Sequence, residues 1–277
     1  MVQIIEPSFR PIVAGRVIDL DEPEALETVW CHGHDALKHI EVAGRTCYKS
    51  HDRITDASAR TFGAMICRNG HESVLEHWGV TAQAVGDRGL SHELVRHRPG
   101  IVFSQESTRY CNYGKEKFGN EINVIKPLDI PGPEEAVGLA DGIDEKYANW
   151  WDSMCAAEEH YLKAIEQGRK PEHARSCLPL GLKVEIVTTA NLRQWRYIFK
   201  LRVQNPRAHP MIRLVFSKGL RLFRKWFAPL FDDIYAPEFD IGTDEDVQRV
   251  RFEAHTDDDL LAEMARRGMI LPNAILD

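Results

Sequence analysis

The chain has 277 residues, of which 43% are hydrophobic, and this is enough to bury a substantial core in one domain, with or without appendages. Asp and Glu total 42 against 35 Lys and Arg, so the formal net charge is -7 at pH 7. This acidic balance excludes a general nucleic-acid-coating protein, because nonspecific phosphate binding needs an excess of cations. No apolar run approaches the length of a membrane span, and residues 1–6 lack the features of a signal peptide. We therefore expect a cytoplasmic protein that has no membrane partner.

The spacing of apolar residues predicts helices and strands joined by loops rich in Gly, Pro and acidic residues. In chain order, the expected elements are an extended segment at 11–20, helices at 22–43 and 54–67, a strand at 78–85, a helix ending near 98, a loop at 127–134, a long helix ending at 168, a strand at 182–189, and helices at 191–201 and 209–227. The predicted fold class is α+β, with helices packed around a central, mainly antiparallel sheet. A single domain at 1–241 is expected to precede a charged C-terminal extension at 242–277, to which the sequence assigns no role.

Several common cofactor and metal motifs are absent from the sequence. The six cysteines are scattered singly, which is typical of free thiols in a reducing compartment. The segment Cys31-His32-Gly33-His34 has no second ligand cluster at zinc-site spacing, so no metal site is predicted. The Gly-rich dinucleotide loop, the Walker loop and the Gly-x-Ser-x-Gly elbow are also missing. Any nucleotide cofactor must therefore be held in another way.

The most informative segment is 93–113, where three consecutive cations precede a turn rich in hydroxyl and amide groups. The cations are Arg96, His97 and Arg98, and a fourth, Arg109, follows the turn. Because Pro99 disfavours helical geometry at Arg98, we expect the three cations in the last turn of a helix. Guanidinium groups bind phosphate or carboxylate bidentately, while Ser, Thr and Gln supply neutral donors. The segment predicts a site for a phosphorylated small molecule; the alternative is cations that only complement a helix dipole.

This segment resembles the signature of the flavin-dependent thymidylate synthases, which is Arg-His-Arg, a spacer, and then Ser with Arg two residues later. Here the signature corresponds to Arg96-His97-Arg98, Ser107 and Arg109. The spacer, Pro99–Glu106, has eight residues, one more than is usual in the family. We expect the extra residue to form a bulge near Pro99 and Gly100, because Gly tolerates unusual dihedral angles. The alternative is a shift in the serine assignment.

Further segments resemble the family in the same order along roughly residues 10–240. They are Arg45-Thr46-Cys47-Tyr48, Gly70 to His77, Ala174 to Leu180, and Asn191 to Arg202. Several spaced motifs in the right order make a chance match a poor explanation.

The resemblance implies a site for deoxyuridylate (dUMP). Its expected residues are Glu93, Arg96, Gln105, Glu106, Ser107, Thr108, Arg109, Arg175 and Arg202. Arg202 corresponds to the family's catalytic arginine. A cation at the pyrimidine edge stabilises negative charge as N3 loses its proton, and this makes C5 more nucleophilic. Ser107 is not expected to be a nucleophile, because no adjacent base of the Ser-His kind is visible.

The resemblance also implies FAD as cofactor. Its expected contacts are His71, Ser73, Glu76, Arg96, His97, Arg98, Gln105, Asn191, Leu192, Arg193, Tyr197 and His209. The implied reaction makes dTMP from dUMP, with methylenetetrahydrofolate as carbon donor and NADPH as reductant. Two alternatives remain open: a relative that releases a hydroxymethylated nucleotide, and a nucleic-acid-binding module.

The family further implies a homotetramer in which neighbouring subunits share each active site. Arg96 and Arg202 are expected from one chain, and Ser107, Arg109 and Arg175 from another. Symmetric oligomers make such sharing geometrically natural.

Overall fold

The computed structural model describes residues 2–13, 36–131 and 144–236. The strands are β1 (Gln3–Ile4), β2 (Ser8–Val13), β3 (Gly79–Asp87), β4 (Ile101–Gln105), β5 (Asn123–Val124) and β6 (Lys183–Asn191). The helices are α1 (36–46), α2 (Ser58–Arg68), α3 (Arg88–Leu94), α4 (Glu145–Glu166), α5 (Pro171–Ala174), α6 (Leu192–Phe199) and α7 (Pro210–Phe227). A 3-10 segment occupies Glu72–His77, and a π-helical turn occupies Lys200–Gln204. Among the helices of the described ranges, none is long and apolar enough to cross a membrane.

A four-stranded antiparallel sheet in the order β2-β3-β6-β4 forms the centre of the fold. Strands β3 and β6 pair along their whole length, from Gly79 opposite Asn191 to Asp87 opposite Lys183. A separate parallel pair joins β1 to β5. The predicted α+β class with a mainly antiparallel sheet is confirmed.

The main core lies between one face of this sheet and helices α6 and α7. Side chains along β3 and β6 are buried at every second position, as the two-residue period of a strand requires. Against them pack aromatic rings that include Trp195 and Phe223, 5.2 Å apart between ring centroids, and the indole of Trp195 donates to the carbonyl of Val80 at 3.0 Å. Truncating one such ring to alanine costs about 3–5 kcal/mol. This core fixes α6, and therefore the residues that follow it.

A second, smaller core supports the turn after β4. Helix α4 begins at its N-cap Asp144, whose carboxylate accepts from the amides of Lys146 and Tyr147. Its buried Tyr161 packs against Tyr113, and the Tyr161 hydroxyl accepts from the Tyr113 amide at 3.3 Å. The turn at 106–113 is therefore held by α4 as well as by the sheet.

The expected elements agree with the structure over most of the described ranges. The strands expected at 78–85 and 182–189 are Gly79–Asp87 and Lys183–Asn191, and the last two helices are confirmed at Leu192–Phe199 and Pro210–Phe227. The helix expected at 54–67 begins later, at Ser58. Parts of other predictions, at 14–20, 22–35, 132–143 and 242–277, lie outside the described residues.

The expectation that Arg96, His97 and Arg98 occupy a helical turn is wrong, because α3 ends at Leu94. A long-range contact stabilises this end of the helix. A continued helix would use the Glu93 carbonyl to accept from the His97 amide, but that amide donates to Leu94 at 3.1 Å. The Glu93 carbonyl accepts from the Arg96 amide at 3.3 Å and from the guanidinium of Arg202 at 3.0 Å. Cationic side chains satisfy helix C-terminal carbonyls in this way, so Arg202 helps to end the helix.

The two ends of the sheet carry different groups of expected site residues. Segment Glu72–His77, the turn before β4 and the start of α6 lie at the end where Gly79 pairs with Asn191. Segment Arg175–Cys177, the start of α3 and the residues after β4 lie towards the end where Asp87 pairs with Lys183. A nine-residue strand such as β6 separates its ends by about 27 Å.

Candidate active site

Arg202 lies in the π-helical turn that follows α6, an irregularity found frequently at functional sites. Its Nε donates to His97 Nε2 at 3.0 Å, its Nη1 to Glu93 Oε2 at 2.7 Å, and its Nη2 to the Glu93 carbonyl at 3.0 Å. These contacts fix the guanidinium plane and use three of its five N–H donors. Arg202 is therefore a positioned cation whose remaining N–H donors are available to a ligand.

Glu93 joins Arg202 to the start of α7. Its Oε1 accepts from the His209 amide at 3.2 Å, while its Oε2 faces Arg202. The His209 ring packs against α3 at Gly89, where an added Cβ would lie 2.9 Å from the ring Nε2. The structure therefore brings His209 into contact with the helix that carries Glu93.

His97 is a buried, neutral partner of Arg202. Only 5% of its surface is exposed, and burial together with the charge of Arg202 lowers the pKa of His97 to about 4. Since Nε2 accepts from Arg202, we infer that the ring proton is on Nδ1. The ring of Tyr197 meets it edge-on, with centroids 5.5 Å apart, and 52% of Tyr197 is exposed. The structure thus provides an accessible aromatic surface beside this pair.

Arg96 and Arg98 are exposed on either side of His97, and neither forms an ion pair with a described residue. The next turn, at Pro99 and Gly100, holds Gly100 at a φ of 68°, a conformation that favours glycine. A Cβ there would be 3.5 Å from Gln194 Cγ, so this turn packs against the first turn of α6. Strand β4 then pairs with β6 without a register shift. The positive φ of Gly100 agrees with the unusual dihedral angle expected there, and the bulge itself stays a prediction.

The residues expected to contact FAD from 71–76 and 191–197 meet at this end of the sheet. His71, Ser73 and Glu76 are exposed, and Glu76 Oε1 lies 2.5 Å from Arg193 Nη1. Asn191 is the N-cap of α6, and its Oδ1 accepts from the Gln194 amide at 2.9 Å. The side chain of Leu192, by contrast, is buried in the main core and does not face these groups.

Arg196 stabilises this end of the sheet, and the sequence analysis did not predict it. It is fully buried, donates bidentately to Asp233 at 2.7 Å, and also donates to Glu72 at 3.0 Å. Burial by itself would lower the pKa of Arg196, but the hydrogen bonds and charges of its carboxylate partners raise it overall. The contact anchors segment Glu72–His77. Nothing local distinguishes this arginine, because both carboxylates are distant in sequence.

A second group of expected site residues surrounds the turn after β4. Thr108 is buried, and its hydroxyl accepts from Arg175 Nη1 at 3.2 Å. The Ser107 hydroxyl accepts from the Arg109 amide at 3.3 Å. The Arg109 guanidinium is about half exposed and lies 3.7 Å from Glu172. Ser107, Thr108, Arg109 and Arg175 are therefore neighbours, while Gln105 is exposed at the end of β4.

Glu106, expected to contact dUMP, is turned inward. Its Oε1 accepts from the Tyr113 hydroxyl at 2.8 Å, and its Oε2 lies 3.1 Å from Lys183 Nζ. Burial, followed by the nearby Glu106 carboxylate, raises the pKa of Tyr113. This network holds the turn in place, and the expected contact of Glu106 with dUMP stays a prediction.

A cavity of about 260 Å³ opens beside Thr108 and Arg175. Its lining consists of Arg88, His92, Thr108, Arg175, Ser176, Leu178, Pro179, Leu180 and Leu182. Arg88 and His92 are four residues apart and therefore share one face of α3. Glu93, which faces Arg202, lies on a different face of the same helix.

Within 2–13, 36–131 and 144–236, no group of three or more His, Cys, Asp or Glu side chains is arranged to hold a metal ion. The segment 31–34 lies outside these residues.

The sequence of this chain is similar to those of known proteins. Residues 28–229 match the family model Thy1, described as thymidylate synthase complementing protein. The flavin-dependent thymidylate synthase of Corynebacterium aurimucosum is 32% identical over 74% of this chain and 82% of its own length. That of Geobacter sulfurreducens is 30% identical over 73% of this chain and 83% of its own. The chain belongs to the flavin-dependent thymidylate synthase family.

Solved structures show the same fold for this family member. Thymidylate synthase X from Helicobacter pylori, crystallised with FAD and dUMP, has a TM-score of 0.58 at 20% identity and covers 83% of this chain and 99% of its own. The UMP/dUMP methylase PolB from Streptomyces cacaoi, bound with 5-Br dUMP, has a TM-score of 0.61 at 18% identity and covers 83% and 95%.

Proposed function

We propose that this protein is an FAD-dependent thymidylate synthase that converts dUMP to dTMP, with methylenetetrahydrofolate as carbon donor and NADPH as reductant. Family membership supports the reaction class. The structural observation that carries the proposal is Arg202, which Glu93 and His97 hold in a fixed orientation with donors to spare. We place the enzyme in the cytoplasm, where the free thiols of its described cysteines are typical.

Arg202 acts on the pyrimidine in this proposal. A cation at the ring edge stabilises the anion formed when N3 loses its proton, and the added electron density makes C5 a better carbon nucleophile. His97 is neutral and Glu93 forms an ion pair with Arg202, so the orientation of the guanidinium is set by hydrogen bonds. The arginine thus contributes electrostatic stabilisation rather than proton transfer.

The nucleotide phosphate lies against Ser107, Thr108, Arg109 and Arg175 in this proposal. Two guanidinium groups and two hydroxyls suit a phosphate dianion. Ser107 is a donor and not a nucleophile, because its hydroxyl contacts the Arg109 amide and no described histidine or carboxylate is hydrogen-bonded to it.

The residues at the other end of the sheet fit FAD. Arg96 and Arg98 are exposed and have no carboxylate partner among the described residues, so both cations are available to bind the FAD diphosphate. Tyr197 presents an accessible aromatic surface to the flat flavin ring. His71, Ser73, Asn191 and Arg193 add polar groups along the same edge. When bound, FAD supplies the hydride chemistry, while the protein binds and orients the reacting groups.

We further propose that two subunits of a homotetramer form each site. The arrangement within one chain supports this, because Arg202 and the cavity beside Arg175 are reached from different faces of α3. A neighbouring copy related by symmetry would bring a phosphate group from one chain next to an Arg202 from another.

Two measurements test the proposed function. Purified protein incubated with FAD and desalted is expected to retain a flavin absorbance spectrum, and a protein without flavin would contradict the cofactor assignment. Tritium release from C5-labelled dUMP, measured with both cosubstrates and with each omitted, is expected only in the complete mixture. The product mass then separates dTMP from a hydroxymethylated nucleotide.

A further inference from the structure

Arg196 lies at the centre of a group of charges to which the proposed function assigns no role. Its Nε and Nη2 atoms donate to Glu72 at 3.1 and 3.0 Å, and Nη1 and Nη2 donate to the two oxygens of Asp233, each at 2.7 Å. With the contact of Nη1 to the Leu230 carbonyl, all five guanidinium donors are used. Lys200 Nζ lies 3.4 Å from Glu72 and 4.0 Å from Asp233. We refer to Arg196, Lys200, Glu72 and Asp233 as the Arg196 cluster.

Segment Glu72–His77 has few other contacts that fix its position. It is a 3-10 helix, and the hydrogen bonds of such helices have poorer geometry than those of an α-helix. Leu75 is its one buried side chain. The ion pair of Glu76 is about half exposed on both sides, and exposed pairs contribute little to stability. Glu72, whose side chain is only 20% exposed, therefore provides the buried polar anchor of this segment through Arg196.

Asp233 is held by the part of the chain that follows α7. Three residues around it are buried in the main core, namely Leu230, Phe231 and Ile234. Arg224 of α7 donates to two backbone carbonyls of the same stretch. Because a buried guanidinium is costly to leave without its carboxylate partners, the position of Arg196 depends on Asp233 as well as on Glu72.

The Arg196 cluster lies directly behind side chains that are expected to contact FAD. His71 and Ser73 flank Glu72 in the chain and are exposed. Consecutive Cα atoms are only about 3.8 Å apart, so a displacement of Glu72 moves both neighbours. Arg196 itself belongs to α6, whose first turn carries the expected contacts Asn191 and Arg193. One buried cation therefore joins two segments of the proposed flavin site.

We propose that Arg196 and Asp233 are positioning residues for FAD, which act through Glu72 on segment Glu72–His77 and on the exposed side chains beside it. This inference rests on the proposed function, because it takes those side chains to bind the cofactor. Arg196 is fully buried, so its effect is transmitted by Glu72 and not by contact with FAD. The stretch after α7, which contains none of the expected FAD contacts, is then part of the support of the flavin site.

The test compares the wild type with Asp233→Asn, with Glu72→Gln and with the double variant. Each substitution keeps the shape of the side chain and removes its negative charge. Asp232→Asn is the matched control, because Asp232 is exposed, is adjacent to Asp233 and forms no ion pair with a described residue. Asp144→Ala, which removes the cap of α4, controls for a loss of stability in the smaller core.

Two properties of the flavin are measured, together with the unfolding midpoint of each flavin-free variant. The affinity for FAD is determined by flavin fluorescence at a temperature well below every midpoint. The visible circular dichroism of bound flavin, which reports its surroundings, is recorded at saturating FAD. A residue that only stabilises the fold would alter the midpoint and neither of these properties.

We expect Asp233→Asn and Glu72→Gln each to weaken FAD binding by roughly 10-fold and to change the flavin spectrum, because each removes charge-assisted hydrogen bonds that hold the segment. The double variant should bind little more weakly than either single variant, since both changes break the same chain of contacts. Asp233→Glu, which keeps the charge, should bind FAD more tightly than Asp233→Asn. Asp232→Asn and Asp144→Ala should retain wild-type affinity and spectrum.

Wild-type FAD affinity in Asp233→Asn would overturn the proposal. An equal loss of affinity in Asp144→Ala at a matched loss of stability would do the same, and the Arg196 cluster would then only stabilise the fold. Additive losses in the double variant would show that Glu72 and Asp233 act separately, and this result also contradicts the proposal.

Tritium release from C5-labelled dUMP separates this inference from the proposed function. If the wild type binds FAD and releases tritium while Asp233→Asn binds FAD normally, the function stands and the positioning role fails. If Asp233→Asn weakens FAD binding but the wild type releases no tritium, the positioning role stands and the reaction fails. A wild type that does not bind FAD contradicts both.

Discussion

At the scale of single residues, the site is organised around charged groups whose roles differ with their contacts. Arg202 is held by three hydrogen bonds, whereas Arg109 is about half exposed and has one loose carboxylate neighbour. A fixed cation can act on a transition state, and an exposed one chiefly adds binding energy. The two arginines should therefore affect different kinetic constants.

Replacing Arg202 by alanine is expected to lower kcat by about 100-fold or more at saturating dUMP, because an interaction with the ionised ring is strongest in the transition state. Replacing Arg109 by alanine should mainly raise KM for dUMP. Steady-state tritium release over a range of dUMP concentrations measures both constants. Equal losses of kcat in the two variants would contradict the assigned roles.

The lowered pKa of His97 predicts that the free energy of unfolding depends on pH. Its pKa is about 4 in the folded protein and about 6.5 when unfolded, so between these values only the unfolded chain takes up the proton. Its contribution to stability is therefore present above about pH 6.5 and is lost as pH falls towards 4, by on the order of 1–3 kcal/mol.

Urea unfolding of the flavin-free protein between pH 7.5 and 4.5 measures this loss. The wild type should lose more stability over this interval than His97→Gln, whose amide oxygen can still accept from Arg202 but does not titrate. Parallel pH profiles for the two proteins would show that His97 does not have the lowered pKa.

At the scale of elements, the residue at the N-terminus of α6 has an observed structural role and a predicted binding role. Asn191 uses Oδ1 to cap the helix through the Gln194 amide, and its Nδ2 group is expected to serve the FAD site. Aspartate keeps the capping oxygen, whereas alanine removes it. The two roles can therefore be separated by substitution.

Asn191→Asp is expected to retain the unfolding midpoint of the wild type but to bind FAD at least about 10-fold more weakly, because it loses an N–H donor and adds a negative charge. Asn191→Ala should lose about 1 kcal/mol of stability as well. Flavin fluorescence titration and urea unfolding measure the two effects. Asp144→Ala, which removes the cap of α4, is the control, with a similar loss of stability and unchanged FAD affinity. Normal FAD binding by Asn191→Asp would remove Asn191 from the flavin contacts.

At the scale of the whole molecule, the antiparallel pairing of β3 with β6 places the two groups of site residues towards opposite ends of the sheet. The main core holds segment Glu72–His77 through α6 and Arg196, and the smaller core holds the turn at 106–113 through α4. In the proposed homotetramer, a second subunit would complete a site that needs both groups.

Shared sites predict complementation between inactive variants. When Arg202→Ala and Arg109→Ala subunits are mixed and exchanged at equal amounts, roughly a quarter of the sites combine two intact halves, and activity should rise towards that fraction. Tritium release measures it, and native mass spectrometry verifies the exchange. A mixture of Arg109→Ala with Arg175→Ala is the control and should stay inactive, because both changes affect the same half. No gain in the first mixture despite exchange would show that each site lies within one chain.

The sequence by itself determined the features that depend on local spacing. Alternating apolar residues predicted β3 and β6, and helical periodicity predicted α6 and α7, because burial on one face imposes the period of each element. The order and spacing of the motifs around Arg96, Ser107, Arg175 and Arg202 indicated the family before any contact between them was known.

Tertiary structure decided which of these side chains meet. Helix α3 ends before Arg96, and Arg202, far along the chain, donates to the Glu93 carbonyl at that end. Glu106 contacts Tyr113 and Lys183, and the buried Arg196 contacts Glu72 and Asp233. Each outcome depends on hydrogen bonds or charges between residues distant in sequence, and local periodicity carries no information about such pairs.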